Sequence, residues 1–193
     1  MKYRSILAAI FIANLISPVF AAWELDNNDS RVNFVSIKKT NVAELGRFTM
    51  LEGQISNNGE TNLKIYLNSV DTKIPIRDER MREFLFEISK FAQATFSTQL
   101  DLTLLKNLPI GERAIQIIGG KFELHGISKE LKADVMLTRL SANKLMVSSF
   151  APVLLNAEDF QLNAGIEKLR ELAGLTNISS AVPVTFHLTF NYR

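Results

Sequence analysis

The stretch VPVTFHLTFNYR, from Val182 to Arg193, alternates without a break. Val182, Val184, Phe186, Leu188, Phe190 and Tyr192 share one phase, and Pro183, Thr185, His187, Thr189, Asn191 and Arg193 share the other. Successive side chains of a β-strand point to opposite faces, so this period of two predicts a strand with one apolar and one polar face. The same alternation runs through Val32 and Phe34, through Leu63, Ile65 and Leu67, and through Leu131, Ala133, Val135 and Leu137. Thr95 to Leu104, Ala114 to His125 and Lys144 to Leu155 are strand-like in composition but less regular. Together these runs predict a mainly β chain folded as a barrel or a sandwich.

Turn signals lie between the runs, at Asn57-Asn58-Gly59, Asn107 to Gly111, Gly126, and Ser141 to Asn143. Consecutive strands are therefore expected to pair as antiparallel hairpins. Gly119-Gly120 inside a long run predicts a bulge or sharp bend. Two segments depart from period two. Met81, Phe84, Leu85 and Ile88 repeat at helical spacing behind a cap expected at Asp78, and Ile166, Leu169 and Leu172 do so between Asn163 and Gly174. Both helices are short and are expected to lie against the sheet or over a barrel opening.

At the start of the chain, Lys2 and Arg4 precede an apolar run from Ile6 to Ile16, which Ser17 and Pro18 interrupt before Val19-Phe20-Ala21. The run is shorter than the ~18 to 20 residues of a spanning helix. Residues 1–21 are therefore expected to be a cleavable export signal and 22–193 one domain, in the periplasm or secreted. The chain carries 22 basic and 20 acidic residues, and removing Lys2 and Arg4 leaves 20 of each. A neutral total does not point to nucleic acid. With no cysteine, disulfides, thiolate metal sites and a cysteine nucleophile are excluded.

No zinc-protease HExxH helix, GxSxG elbow, phosphate-binding P-loop or dinucleotide glycine fingerprint is present. His125 and His187, the two histidines, both fall on polar phases and are expected at the surface or near a strand end. A catalytic or metal role would require them to meet in space. Asp71, Glu158 and Asp159 read as turn or cap residues. The reading therefore assigns no catalytic residue, no metal ligand and no cofactor, and no enzymatic activity.

The order of motifs resembles the YceI-like family of bacterial periplasmic or secreted lipid-binding proteins, over nearly the whole chain after Ala21. Trp23, Leu25, Asp26, Ser30, Val32 and Phe34 open the resemblance, followed by Gly46, Phe48 and Gly53 and by Ser69-Val70-Asp71-Thr72. Arg77-Asp78, then Met81, Phe84, Leu85 and Phe86, and Ala94-Thr95-Phe96-Ser97 come next. The most specific piece is Phe122, Leu124, His125, Gly126, Ile127, Ser128 and Lys129, and Asp159-Phe160 closes the series. The chain departs from the family pattern at Asp29 and Arg80, where histidines are common, and at Gln161, where glycine is usual.

The resemblance implies an elongated, eight-stranded, antiparallel, lipocalin-like β-barrel whose apolar interior holds an isoprenoid chain or a similar lipid. Candidates for the lining are Phe34, Phe48, Phe122, Leu124, Val184, Phe186, Leu188 and Phe190; the alternative is that they fill a closed core. Arg77, Asp78 and Arg82 are the candidates for a polar head group. The expected partner is an apolar lipid such as a polyisoprenoid, an isoprenoid quinone, or a fatty acid or amide. The expectation includes no nucleic acid, a transient membrane contact, and a monomer or homodimer. The competing reading is a periplasmic protein-interaction scaffold or stress-response protein with a closed barrel and no lipid.

Overall fold

Val182 to Tyr192 lies within the last strand of the computed structural model, which describes residues 21–193. But for Ala21, the expected export signal lies outside the described residues. Eight strand positions follow one another round a barrel in chain order. The first is β1 (Ala21–Leu25), continued after a turn by β2 (Arg31–Lys38); the second is β3 (Val42–Phe48), continued by β4 (Leu51–Ser56). The third is β5 (Glu60–Tyr66) with the two-residue β6 (Val70–Asp71). β7 (Gln93–Gln99), β8 (Arg113–Leu124) and β9 (Ile127–Ser141) are single strands. The seventh position is β10 (Lys144–Ser149) continued by β11 (Val153–Asn156), and the eighth is β12 (Ala181–Tyr192).

The registers show why the broken strands count as single positions. β12 pairs with β1, Trp23 opposite Tyr192, and farther back along the same edge with β2, Phe34 opposite Val184. Its other edge takes β10 and then β11 in the same manner. Neighbours are antiparallel throughout, and the β1–β12 pairing closes the barrel. The break between β1 and β2 serves a purpose on the outer wall. Thr189 lies on the polar phase of β12, yet it is buried, because residues 26–30 fold over it. Its N–H donates to Ser30 Oγ at 3.0 Å, its hydroxyl to the Asp29 carbonyl at 3.0 Å, and its carbonyl accepts from Asp26 N–H at 2.8 Å.

Two sequence expectations need correction. The double glycine makes no bulge, since the β8–β9 register runs unbroken from Arg113 opposite Thr138 to Leu124 opposite Ile127. What Gly120 supplies is room: a Cβ there would lie 2.5 Å from the Ser97 carbonyl oxygen and 2.7 Å from the Phe96 ring. Asp78 is not the helix cap. The helix α1 (Pro75–Arg80) begins three residues earlier, where Pro75 has its φ preset and has no N–H to lose. It runs on into a π-helical turn, Met81–Leu85, which α3 (Asn163–Leu172) crosses at Gly165. A third short helix, α2 (Leu102–Asn107), occupies the end of the strand-like run from Thr95 to Leu104.

Candidate ligand-binding site

Inside the barrel lie two chambers in line. The larger, about 350 Å³, is walled by Val32, Phe34, Phe48, Ile65, Phe122, Leu124 and Val184, with Met81, Leu85 and Phe86 from the π-helical turn. Phe160, Leu162 and Ile166 cover it from the α3 side. The smaller, about 140 Å³, is walled by Ile55, Leu63, Phe96, Val135, Leu137, Leu145, Phe186, Leu188 and Phe190, with Leu105 of α2. Val32, Ile65, Phe122, Leu155 and Val184 border both, so they form a waist between them. β12 runs the whole length: Val182 and Val184 face the first chamber, and Phe186, Leu188 and Phe190 the second.

All eight apolar candidates therefore stand on chamber walls. Phe34, Phe48 and Leu124 face the larger chamber, Phe186, Leu188 and Phe190 the smaller, and Phe122 and Val184 both. The aromatic walls hold one another: Phe34 and Phe48 have ring centroids 5.5 Å apart, Phe48 and Phe86 5.8 Å, and Phe122 meets Phe160 edge-on at 5.5 Å. Phe34 has space for its ring because the residue across the β2–β3 ladder is Gly46, where a Cβ would lie only 2.2 Å from the ring's Cζ.

The wall turns polar toward one end. Along β2 the inward phase reads Val32, Phe34, Ser36 and Lys38, and along β3 it reads Phe48, Gly46 and Glu44. Leu45, Ile74 and Ile76, all exposed, stand round this end together with Arg77 and Arg80, so it is the mouth. Lys38 Nζ lies 2.8 Å from Glu44, and Arg77 pairs with the same carboxylate. The Lys38 hydrogen bond, helped by the Arg77 charge, holds the Glu44 carboxyl below its ordinary range.

The head-group candidates divide. Arg77 is at the mouth, but its guanidinium is engaged: Nε donates to Thr72 Oγ1 at 2.8 Å, Nη2 to the Thr72 carbonyl at 2.8 Å, and Nη1 to Glu44. Asp78 is buried and accepts from the Thr72 N–H at 2.9 Å and from the Thr72 hydroxyl. Its role is to hold the turn from which Arg77 reaches the mouth. Arg82 stands outside both chamber walls and donates to the Asn68 carbonyl at 3.4 Å, because the earlier helix start carries it past the rim. Lys38 and Glu44 are rim residues that sequence reasoning did not single out, and Arg80, noted there only as a departure from the family pattern, is a third. Lys38 and Glu44 could have been found by extending the inward phases of β2 and β3.

His125 sits in the β8–β9 turn with φ 53°, followed by Gly126 at φ 75°, the left-handed pair that a tight hairpin demands. It is more buried than expected: Nε2 is 3.0 Å from Glu87 Oε2, and the ring packs on Phe91 at 4.3 Å. His187 is exposed on the outer wall, opposite Arg31 and Ser148. Among the described residues, no cluster of three or more His, Asp or Glu could hold a metal.

A family model, the YceI-like domain, matches residues 23–190. The chain belongs to the YceI-like family. Among solved structures, a polyisoprenoid-binding domain from Saccharophagus degradans, implicated in plant cell wall breakdown, is 42% identical at a TM-score of 0.88. The match covers 90% of this chain and 99% of that one. BcnA of Burkholderia cenocepacia is similar in fold, at 19% identity and a TM-score of 0.66 over 86% of this chain and 98% of that one. So is a Campylobacter jejuni YceI protein, at 16% identity and 0.56 over 77% and 84%. Comparison with curated protein sequences finds no match.

Proposed function

We propose that this YceI-like chain binds one apolar lipid of the polyisoprenoid kind, laid lengthwise through the two chambers, and stores or carries it without chemical change. The observation that carries the reading is the pair of chambers joined at a waist, with mainly apolar walls and with Lys38, Glu44, Arg77 and Arg80 gathered at the mouth of the larger one. A long, thin, apolar chain with one polar end has that pattern. The polyisoprenoid-binding domain of Saccharophagus degradans, similar at 42% identity, supports the class of ligand. The signal-like N-terminus supports a site of action in the periplasm or outside the cell.

Burial at ~0.8 kcal/mol per methylene makes one five-carbon isoprene unit worth on the order of 4 kcal/mol before ordering costs. A charge-assisted hydrogen bond to a head group adds roughly 1.5 to 3 kcal/mol. Chain burial therefore dominates affinity, and the rim selects the head group. Arg77 and Arg80 are the rim donors best placed for that selection, with Arg77 exchanging its bond to Glu44 for one to the ligand.

The test is native mass spectrometry of protein purified from its host, followed by extraction and identification of what is released. A stoichiometric apolar adduct is expected. Protein that carries no adduct and takes up no added polyprenol would overturn the reading in favour of a scaffold that binds another protein.

A further inference from the structure

The mouth of the larger chamber presents apolar side chains to water. Leu45 is 65% exposed, Ile74 42% and Ile76 52%, and all three border the same opening. Ile74 and Ile76 flank Pro75 at the start of α1, which fixes the backbone that displays them. Isolated apolar residues on a surface need no explanation, but a group gathered round a single apolar opening does.

The charges beside them have one sign in excess. Four charged residues border the opening, three cations, Lys38, Arg77 and Arg80, against Glu44. Lys73 adjoins Ile74 and keeps its side chain 73% exposed even while it lies 3.0 Å from Asp71. Lys39, also exposed, forms the tip of the β2–β3 hairpin. Glu79, Glu167 and Glu171 are the exposed acids farther along α1 and α3, the last two paired with Arg170 and Lys168.

We propose that this end of the barrel docks on an anionic lipid bilayer. Leu45, Ile74 and Ile76 enter the head-group layer while Lys39, Lys73 and Arg80 face its phosphates, so that ligand passes between bilayer and chamber without crossing water. Apolar residues ringed by basic ones are the combination that holds a protein at an anionic interface. The inference rests on the lipid-carrier reading and adds the surface through which the chamber is loaded.

The experiment follows the protein and geranylgeraniol separately, using the protein, its Ile74→Glu/Ile76→Glu double variant and its Lys73→Glu variant. Vesicles of phosphatidylethanolamine with phosphatidylglycerol should sediment the protein, phosphatidylcholine vesicles should not, and added salt should weaken the binding. The double variant should lose vesicle binding, and transfer of geranylgeraniol from vesicles should slow by about tenfold or more, with a smaller loss for Lys73→Glu. Uptake of geranylgeraniol added from ethanol bypasses the bilayer and reports folding; it should be unchanged in Lys73→Glu, which lies outside both chamber walls, and in the double variant it should fall much less than transfer from vesicles does. Transfer from vesicles at the original rate in the double variant, or no preference of the protein for anionic vesicles, would overturn the docking surface while leaving the carrier reading standing. Failure of the unaltered protein to take up geranylgeraniol from either source would remove the carrier reading and this inference with it.

Discussion

Asp71 joins three segments through one carboxylate. Arg47 of β3 donates to it at 2.8 and 3.0 Å, Lys73 Nζ lies 3.0 Å away, and the Lys73 N–H donates to Oδ1 at 2.9 Å. The Lys73 backbone and side-chain bonds, then Arg47, pull the carboxyl from 3.8 down to about 2. A depressed carboxyl stabilises the fold fully above its unfolded value and loses that contribution as pH falls through the folded one. Melting temperature should therefore drop between about pH 4 and pH 2, and Asp71→Asn should flatten that limb while lowering stability at neutral pH. An acid limb unchanged by the substitution would assign the transition to other carboxylates. Gln161 is a second residue with a readable cost. It ends a short turn at φ 56°, the left-handed region that favours glycine, and it stands where YceI-like sequences usually carry that residue. Gln161→Gly should raise stability by about 0.5–1 kcal/mol in urea unfolding, the strain relief outweighing the added freedom of the unfolded chain.

At the level of elements, α2 is the clearest case of structure hidden from pattern reading. Leu102, Leu104 and Leu105 keep neither a clean period of two nor the spacing of a long amphipathic helix, and six residues are too few to stand alone. Tertiary contacts decide it. Asp101 Oδ1 accepts from the Thr103 N–H at 2.8 Å, Leu105 is buried against the second chamber, and its carbonyl accepts from Arg139 Nη1 at 2.8 Å. Arg139 also lies over the Trp23 ring at 5.9 Å, so one side chain clamps the far end of the barrel. Asp101→Ala should lower stability as a lost cap, and Leu105→Ala should cost about 2–5 kcal/mol as a cavity beside the second chamber, both measured by chemical unfolding. By contrast, β12 was legible at once because burial on one face enforces alternation; of the β8–β9 hairpin, Ala114 to His125 read as less regular and its double glycine as a bulge, while the Gly126 turn and the run from Leu131 to Leu137 were legible. The breaks between β1 and β2 and between β10 and β11 were not, since they depend on what lies across the barrel wall. The apolar lining positions followed from strand phase. The mouth was legible only in Arg77, because its charges come from three separate elements, β2, β3 and α1, that only the closed barrel brings together.

For the molecule as a whole, the two chambers make chain length the property that binding should sense. A ligand short enough for the larger chamber alone meets Phe34, Phe48, Leu124 and the π-helical turn, and never needs the waist. A longer one must pass Val32, Ile65, Phe122, Leu155 and Val184 before it reaches Phe186, Leu188 and Phe190. Replacing Val184 by Phe adds bulk at that constriction, at a stability cost of about 1–3 kcal/mol that leaves a well-built barrel folded. Geraniol, with two isoprene units, should bind Val184→Phe about as it binds the original protein. A polyprenol long enough to enter the second chamber should bind at least tenfold more weakly, since losing even part of one isoprene unit's burial exceeds the roughly 1.4 kcal/mol that a tenfold change requires. Titration of both ligands against both proteins, followed by tryptophan fluorescence of Trp23 or by calorimetry, separates the outcomes. Equal losses for the two would mean that the substitution damages the larger chamber itself. No loss for either would mean that the chain stops short of the waist, leaving Phe186, Leu188 and Phe190 as core residues.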